Sequence, residues 1–241
     1  MAKSLSNLGQ ARESRRWWTT ALHVTDASGD INLGLWMRGQ RIIHGFYESR
    51  PARMLLRQAG AAADFRRGNI CTGLADVSTA RAQASVLSGD YDSAVADLGW
   101  TGEILSQLPD AVTEDTSSIM GWGEAQLRYT ETWVYAHMGD EQKADQAASR
   151  ALQLYPASNT RGPAQIRLMQ AYTRIRSGDI SEGIRHAQAV YEPLIAARCT
   201  TMVDAIASRI LDWVPAEAQN RPDVVAYRAL VAPSSREMIE S

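Results

Sequence analysis

The stretch that decides the fold is residues 121–156, GWGEAQLRYTETWVYAHMGDEQKADQAASRALQLYP. It predicts two helices joined at Met138-Gly139-Asp140. In the second, Ala144, Ala147, Ala148 and Ala151 keep the i, i+3, i+4, i+7 spacing of one helix face, and small side chains there let a partner helix come close. Gly139 suits the left-handed residue that ends a helix, and Pro156 stops the second one.

The same punctuation recurs to either side. Upstream, a helix over Ala11–Ala27 carries Trp17, Trp18, Ala21, Leu22 and Val24 and ends at Ser28-Gly29-Asp30. Ile31–Glu48 follows, and Pro51, tolerated in a first turn, opens a helix through Ala62 that ends at Gly68-Asn69. Cys71–Leu87, the corner Ser88-Gly89-Asp90-Tyr91 and a helix bearing Ala94, Val95 and Leu98 make the next pair. Downstream, Arg161–Arg176 and Ile180–Tyr191 flank Ser177-Gly178-Asp179, and Met202–Val214 and Val224–Val231 close the chain. Residues 109–120, PDAVTEDTSSIM, concentrate turn formers and acids, which predicts an exposed insertion; the polar residues 233–241 predict a flexible tail. No segment alternates with period two over strand length. The class expected is all-α, a single helical-repeat domain over residues 1–241.

Small residues in the second helix of a pair, a Gly-Asp corner before it and a proline after it resemble the tetratricopeptide repeat. Corner glycines at 89, 139 and 178 lie 50 and 39 residues apart. With the insertion removed, both separations are about 38, within the range of paired-helix solenoids. A wider likeness rests on Arg15-Arg16-Trp17-Trp18, Tyr129-Thr130-Glu131-Thr132, Leu154-Tyr155-Pro156-Ala157-Ser158 and Leu211-Asp212-Trp213-Val214-Pro215. These resemble the tetratricopeptide regions of actinobacterial regulators with an N-terminal Xre-type helix-turn-helix domain. No counterpart of that DNA-binding domain is found here. The resemblance therefore implies a regulatory, partner-binding module without direct DNA binding.

Composition agrees with that class. A net charge of −2 and a pI near 6.1 give no general attraction to nucleic acid. Cys71 and Cys199 belong to no disulfide or zinc pattern, and no run of about 18 apolar residues offers a membrane span. A cytoplasmic protein with no cofactor is expected. His23, His44, His137 and His186 lack metal-ligand spacing, and the glycine-rich nucleotide loops and the nucleophile elbow are absent from the sequence.

Counting back eleven, eight and four residues from each corner glycine gives Ser78, Arg81 and Ser85; Arg128, Glu131 and Tyr135; and Arg167, Gln170 and Arg174. Each trio lies on one stripe of a first helix. One reading makes these stripes a ligand-binding groove in which Arg81, Arg128, Arg167 and Arg174 receive carboxylates or phosphates. The other pairs the arginines with Glu131, Glu124 or neighbouring acids. Trp36, Trp122 and Trp133 similarly serve either as an aromatic floor of the groove or as core, since only two phenylalanines are present to fill volume.

The function expected is a non-enzymatic binding protein that acts as a regulatory or accessory factor, holding a peptide, protein partner or small effector. The alternative is an enzyme of secondary metabolism, with Glu131, Tyr135 and His137 as acid-base residues in the groove. Trp17 and Trp18 are adjacent, so they point about 100° apart on a helix. That predicts one indole free for an N-terminal homodimer interface.

Overall fold

The computed structural model describes residues 1–64, 70–116, 118–196 and 201–232. Among these the protein is helical throughout, with no strand. The helices are α1 (Ala2–Asn7), α2 (Ala11–Ser28), α3 (Ile31–Tyr47), α4 (Ala52–Asp64), α5 (Thr72–Leu87), α6 (Tyr91–Gln107) and α7 (Asp110–Thr113). They continue as α8 (Glu124–Met138), α9 (Glu141–Leu154), α10 (Arg161–Arg176), α11 (Ile180–Ala196), α12 (Thr201–Arg209) and α13 (Pro222–Val231). Short 3-10 turns at Ile210–Trp213 and Ala216–Ala218 join the last two.

Four corners share one construction. Gly29, Gly89, Gly139 and Gly178 all have positive φ, between 73° and 99°, the left-handed conformation that glycine adopts without the Cβ penalty. The aspartate after each starts the following helix. Asp30, Asp90 and Asp140 accept from the backbone N–H groups of Leu33, Ser93 and Lys143 at 2.9–3.1 Å, satisfying donors that a helix start leaves free. These corners produce the packed pairs α2/α3, α5/α6, α8/α9 and α10/α11. Ala144, Ala147, Ala148 and Ala151 are all buried along α9.

Consecutive pairs are joined where α3 packs on α5, α5 on α8 and α8 on α10. The α3/α5 crossing is very close. A Cβ on Gly73 would stand 2.2 Å from the Asn32 carbonyl oxygen, and one on Gly39 would stand 2.8 Å from Asp76 Cβ. At the other end, α12 packs on α10 and α13 and also reaches α3 and α1. Arg209 there donates to the Phe46 carbonyl, so the last helices close back on the first.

The expected helices are present, with several refinements. The chain begins with a helix, α1, whose buried Ala2 and Ser6 pack it onto α2. The segment at 109–120 is largely exposed but holds α7, and the Val112 carbonyl accepts the Trp122 N–H. The expected helix over Met202–Val214 divides into α12 and a 3-10 turn. Helix α11 runs through Pro193 rather than stopping at Tyr191. The expected helix end at Gly68-Asn69, Cys199 and the tail at 233–241 lie outside the described residues.

Candidate functional site

Of the three count-back trios, the one on α8 lines an open volume, and it does so against α9 rather than against the stripes of the other first helices. Arg128, Glu131 and Tyr135 on α8, with Lys143, Gln146 and Arg150 on α9, surround an open volume of about 390 Å³. Its charges neutralise one another. Arg128 Nη1 donates to Glu131 Oε2 at 2.8 Å, and Arg128 Nε donates to Glu124 Oε1 at 3.1 Å. Arg150 Nη2 donates to Glu124 Oε2 at 2.6 Å. Two guanidiniums hold the Glu124 carboxyl at about 2, below its ordinary range, with the Arg150 hydrogen bond the largest cause. Lys143 is 3.0 Å from Asp140 and stands over the Tyr135 ring.

The other stripe residues divide. Arg81 Nε donates at 2.8 Å to Asp97 Oδ1 on α6, and Gln170 Nε2 donates at 3.0 Å to Asp145 on α9. Arg81 and Arg128 thus pair with neighbouring acids, and Gln170 bonds to one. Arg167 and Arg174 differ. Arg167 is exposed and lines a groove of about 470 Å³ with Leu152, Tyr155, Pro163, Val190, Pro193 and Leu194. Arg174 Nη1 is buried without a hydrogen-bond partner.

Trp36, Trp122 and Trp133 are core. Trp36 is 6% and Trp122 3% exposed, so neither forms the floor of an open groove. Large apolar volume has to be filled, and in a chain this poor in phenylalanine the indoles fill it. Trp133 is also buried and stacks on His137 with 4.6 Å between ring centroids.

The acid-base trio is not assembled. Glu131 and Tyr135 line the α8/α9 groove, whereas His137 turns to a small apolar pocket with Trp133, Tyr172, Ile206, Arg209 and Trp213. Its Nδ1 lies 2.7 Å from the Trp133 carbonyl, and burial lowers its pKa to about 4. Burial also raises the Tyr135 hydroxyl. Six residues of helix put Glu131 and His137 on different faces, and acid-base cooperation needs hydrogen-bond reach.

A second polar cluster, absent from the sequence-based expectation, lies where α1, α3, α5 and α8 meet. Asp76 on α5 is buried, and its carboxylate accepts from Gln40 Nε2 at 2.8 Å and Trp122 Nε1 at 3.1 Å. Burial pushes its pKa up to about 6, against the favourable influence of these donors and Lys3. His44 Nδ1 lies 2.8 Å from Ser6 Oγ while Nε2 has no partner; burial lowers this imidazole to about 3. The Tyr47 and Tyr129 hydroxyls are 2.9 Å apart. Asp76 is the single acidic residue of Thr72–Leu87, and that is the one sequence signal that could have pointed here.

Among the described residues no group of three or more His, Cys, Asp or Glu is placed to hold a metal, and no helix is long and apolar enough to cross a membrane. Comparison with family models, with curated proteins and with solved structures finds no match to this chain.

Proposed function

We propose that this protein is a non-enzymatic helical-repeat binding protein, a tetratricopeptide-like array that serves as a regulatory or accessory factor. The observation that carries the reading is the four-fold recurrence of one corner, a left-handed glycine followed by a helix-starting aspartate. Each corner folds back a helix pair that covers the next, the construction by which stacked repeats present long grooves. Grooves of about 390 and 470 Å³ between successive helices fall within the usual size of small-ligand sites. A small effector or a short peptide segment is the class of ligand they suit.

The enzyme reading is weaker because its three side chains serve two separate places. The binding reading is tested by native mass spectrometry of the protein purified from its own host. A noncovalent adduct that dissociates with the ligand intact is expected. Bare protein from host extract, under conditions that preserve known complexes, would contradict it.

A further inference from the structure

Charge is unevenly divided along the chain. Residues 1–64, through the end of α4, hold nine of its 25 Lys and Arg but five of its 27 Asp and Glu, which leaves 16 against 22 for the rest. A near-neutral total thus conceals a basic end and an acidic remainder. Asymmetry of this kind bears on partners rather than on fold.

Helix α2 runs along one stripe of α3. Arg38, Arg41, Gly45 and Glu48 follow helical spacing on α3. Asp26, late in α2, lies 2.8 Å from Arg38, and Arg15, early in α2, lies 3.1 Å from Glu48. These two ion pairs engage Asp26 and Glu48 and leave Arg41 between them, its Nε buried with no hydrogen-bond partner. Arg50 lies over Gly45, its Cδ 3.3 Å from the place a Cβ would take there, and donates at 3.6 Å to the Met54 thioether, a weak acceptor. Burial is the largest cause lowering the pKa values of Arg41 and Arg50; neighbouring guanidiniums add to it, and Glu48 opposes it. The C-terminal end of α3 does not require these charges. Its Gly45 carbonyl accepts the Arg50 backbone N–H, and its Phe46 carbonyl accepts the Ser49 N–H and Arg209.

The surface around this seam adds cations. Arg12 and Arg16 are exposed one turn apart on α2, and Arg53 is exposed in the first turn of α4. Asp30 starts α3 and Asp64 ends α4. Helices α1–α4 therefore bring two carboxylates to this end, Glu13 and Glu48, against the guanidiniums of Arg12, Arg15, Arg16, Arg41, Arg50 and Arg53. Arg209 arrives beside its own acid, Asp212. We propose that this end of the molecule, from Arg12 and Arg16 across the α2/α3 seam to Arg53, docks an acidic protein segment. The proposal goes beyond the binding function above and uses neither of its grooves. Guanidinium meets carboxylate through paired N–H donors, and the attraction is strongest at the partly buried Arg41 and Arg50, where water screens least. Charge complementarity favours a short segment over nucleic acid. A polyanion that runs past this end meets the acidic remainder and is repelled there, whereas a short acidic stretch stays on the basic end.

The test titrates the full chain into fluorescein-labelled octaglutamate, with labelled octaglutamine and a duplex DNA of about 20 base pairs as comparisons, and reads anisotropy at about 50 and 200 mM salt. Octaglutamate should bind about tenfold or more tightly than octaglutamine, more tightly than the duplex, and less tightly at the higher salt. The exposed pair Arg12→Gln with Arg16→Gln, and separately Arg50→Gln, should each weaken octaglutamate about tenfold. Arg185→Gln, exposed on α11 and paired with Glu182, should leave it unchanged. Thermal midpoints accompany each variant, and if Arg50→Gln lowers its own, the exposed pair alone decides. Octaglutamate no tighter than octaglutamine, or binding indifferent to Arg12 and Arg16, would overturn the proposal. So would the duplex binding more tightly than octaglutamate, which would assign this end to nucleic acid instead.

Discussion

Trp122 Nε1 donates a 3.1 Å hydrogen bond to Asp76 Oδ1 across 46 positions of chain, tying the residue that leads into α8 to the middle of α5. The bond satisfies an indole and a carboxylate that are both buried. Trp122→Phe keeps most of the apolar volume but leaves the carboxylate short of a donor. It should cost about 1–3 kcal/mol, measured as a lower urea midpoint with unchanged slope. A stability equal to the parent would show that this bond does not hold α5 and α8 together.

Stability should fall on acidification, with a partial offset. His44 and His137 have folded pKa values of about 3 and about 4, below the ordinary 6.5. Their neutral forms therefore favour the fold above about pH 6.5, and that stability is lost as pH falls toward those values. Asp76 has the opposite sign: its pKa is raised to about 6, so its contribution is present below the unfolded value and lost as pH rises through 6. At about 1.4 kcal/mol per unit, the net loss from pH 7 to pH 5 is on the order of 2–4 kcal/mol. Asp76→Asn removes the offset, so its urea midpoint should fall more steeply over that interval than the parent's.

Two glycines inside helices should respond in opposite directions. A Cβ at Gly73 meets Asn32 and Trp36 backbone within 2.6 Å, whereas one at Gly60 meets nothing within 4 Å. Gly73→Ala should destabilise by about 1–3 kcal/mol through forced separation of α3 and α5. Gly60→Ala should stabilise by about 0.5–1 kcal/mol through helix propensity alone. Chemical denaturation of both variants checks the pair.

The helix pairs were legible because glycine and aspartate at a corner act locally: one supplies a backbone conformation, the other a hydrogen-bond acceptor three residues on. Alanine spacing in α9 was legible for the same reason. Pairing across helices was not. That Arg81 meets Asp97, or Gln170 meets Asp145, depends on how neighbouring helices rotate about their axes, which no local pattern specifies. His137 illustrates the limit: its place on the helix follows from sequence, but its stacking between Trp133 and Tyr172 depends on α10. Asp76 was missed because its partners come from α3 and the segment before α8, and only the assembled fold brings them together.

The adjacent indoles at the N-terminus separate as their 100° offset requires. Trp18 is buried, whereas Trp17 is 46% exposed, and Val24, seven residues on along the same helix, is exposed as well. We propose a second copy of this chain as the partner of this outer face of α2. Sedimentation equilibrium should then show a dimer that Trp17→Glu converts to monomer without loss of helical content. A single 26.5 kDa species of the parent chain across micromolar concentrations would contradict it.

The central claim, that the protein holds a ligand rather than transforms one, is tested most directly by mass balance. The purified protein is incubated with small-molecule extract of its host, separated by filtration, and the bound and free fractions are compared by mass spectrometry over time. The account predicts a compound retained in amounts that saturate at the protein concentration and are recovered with unchanged mass on denaturation. Time-dependent loss of a compound beyond that stoichiometry, with a product of different mass appearing in the free fraction, would contradict it.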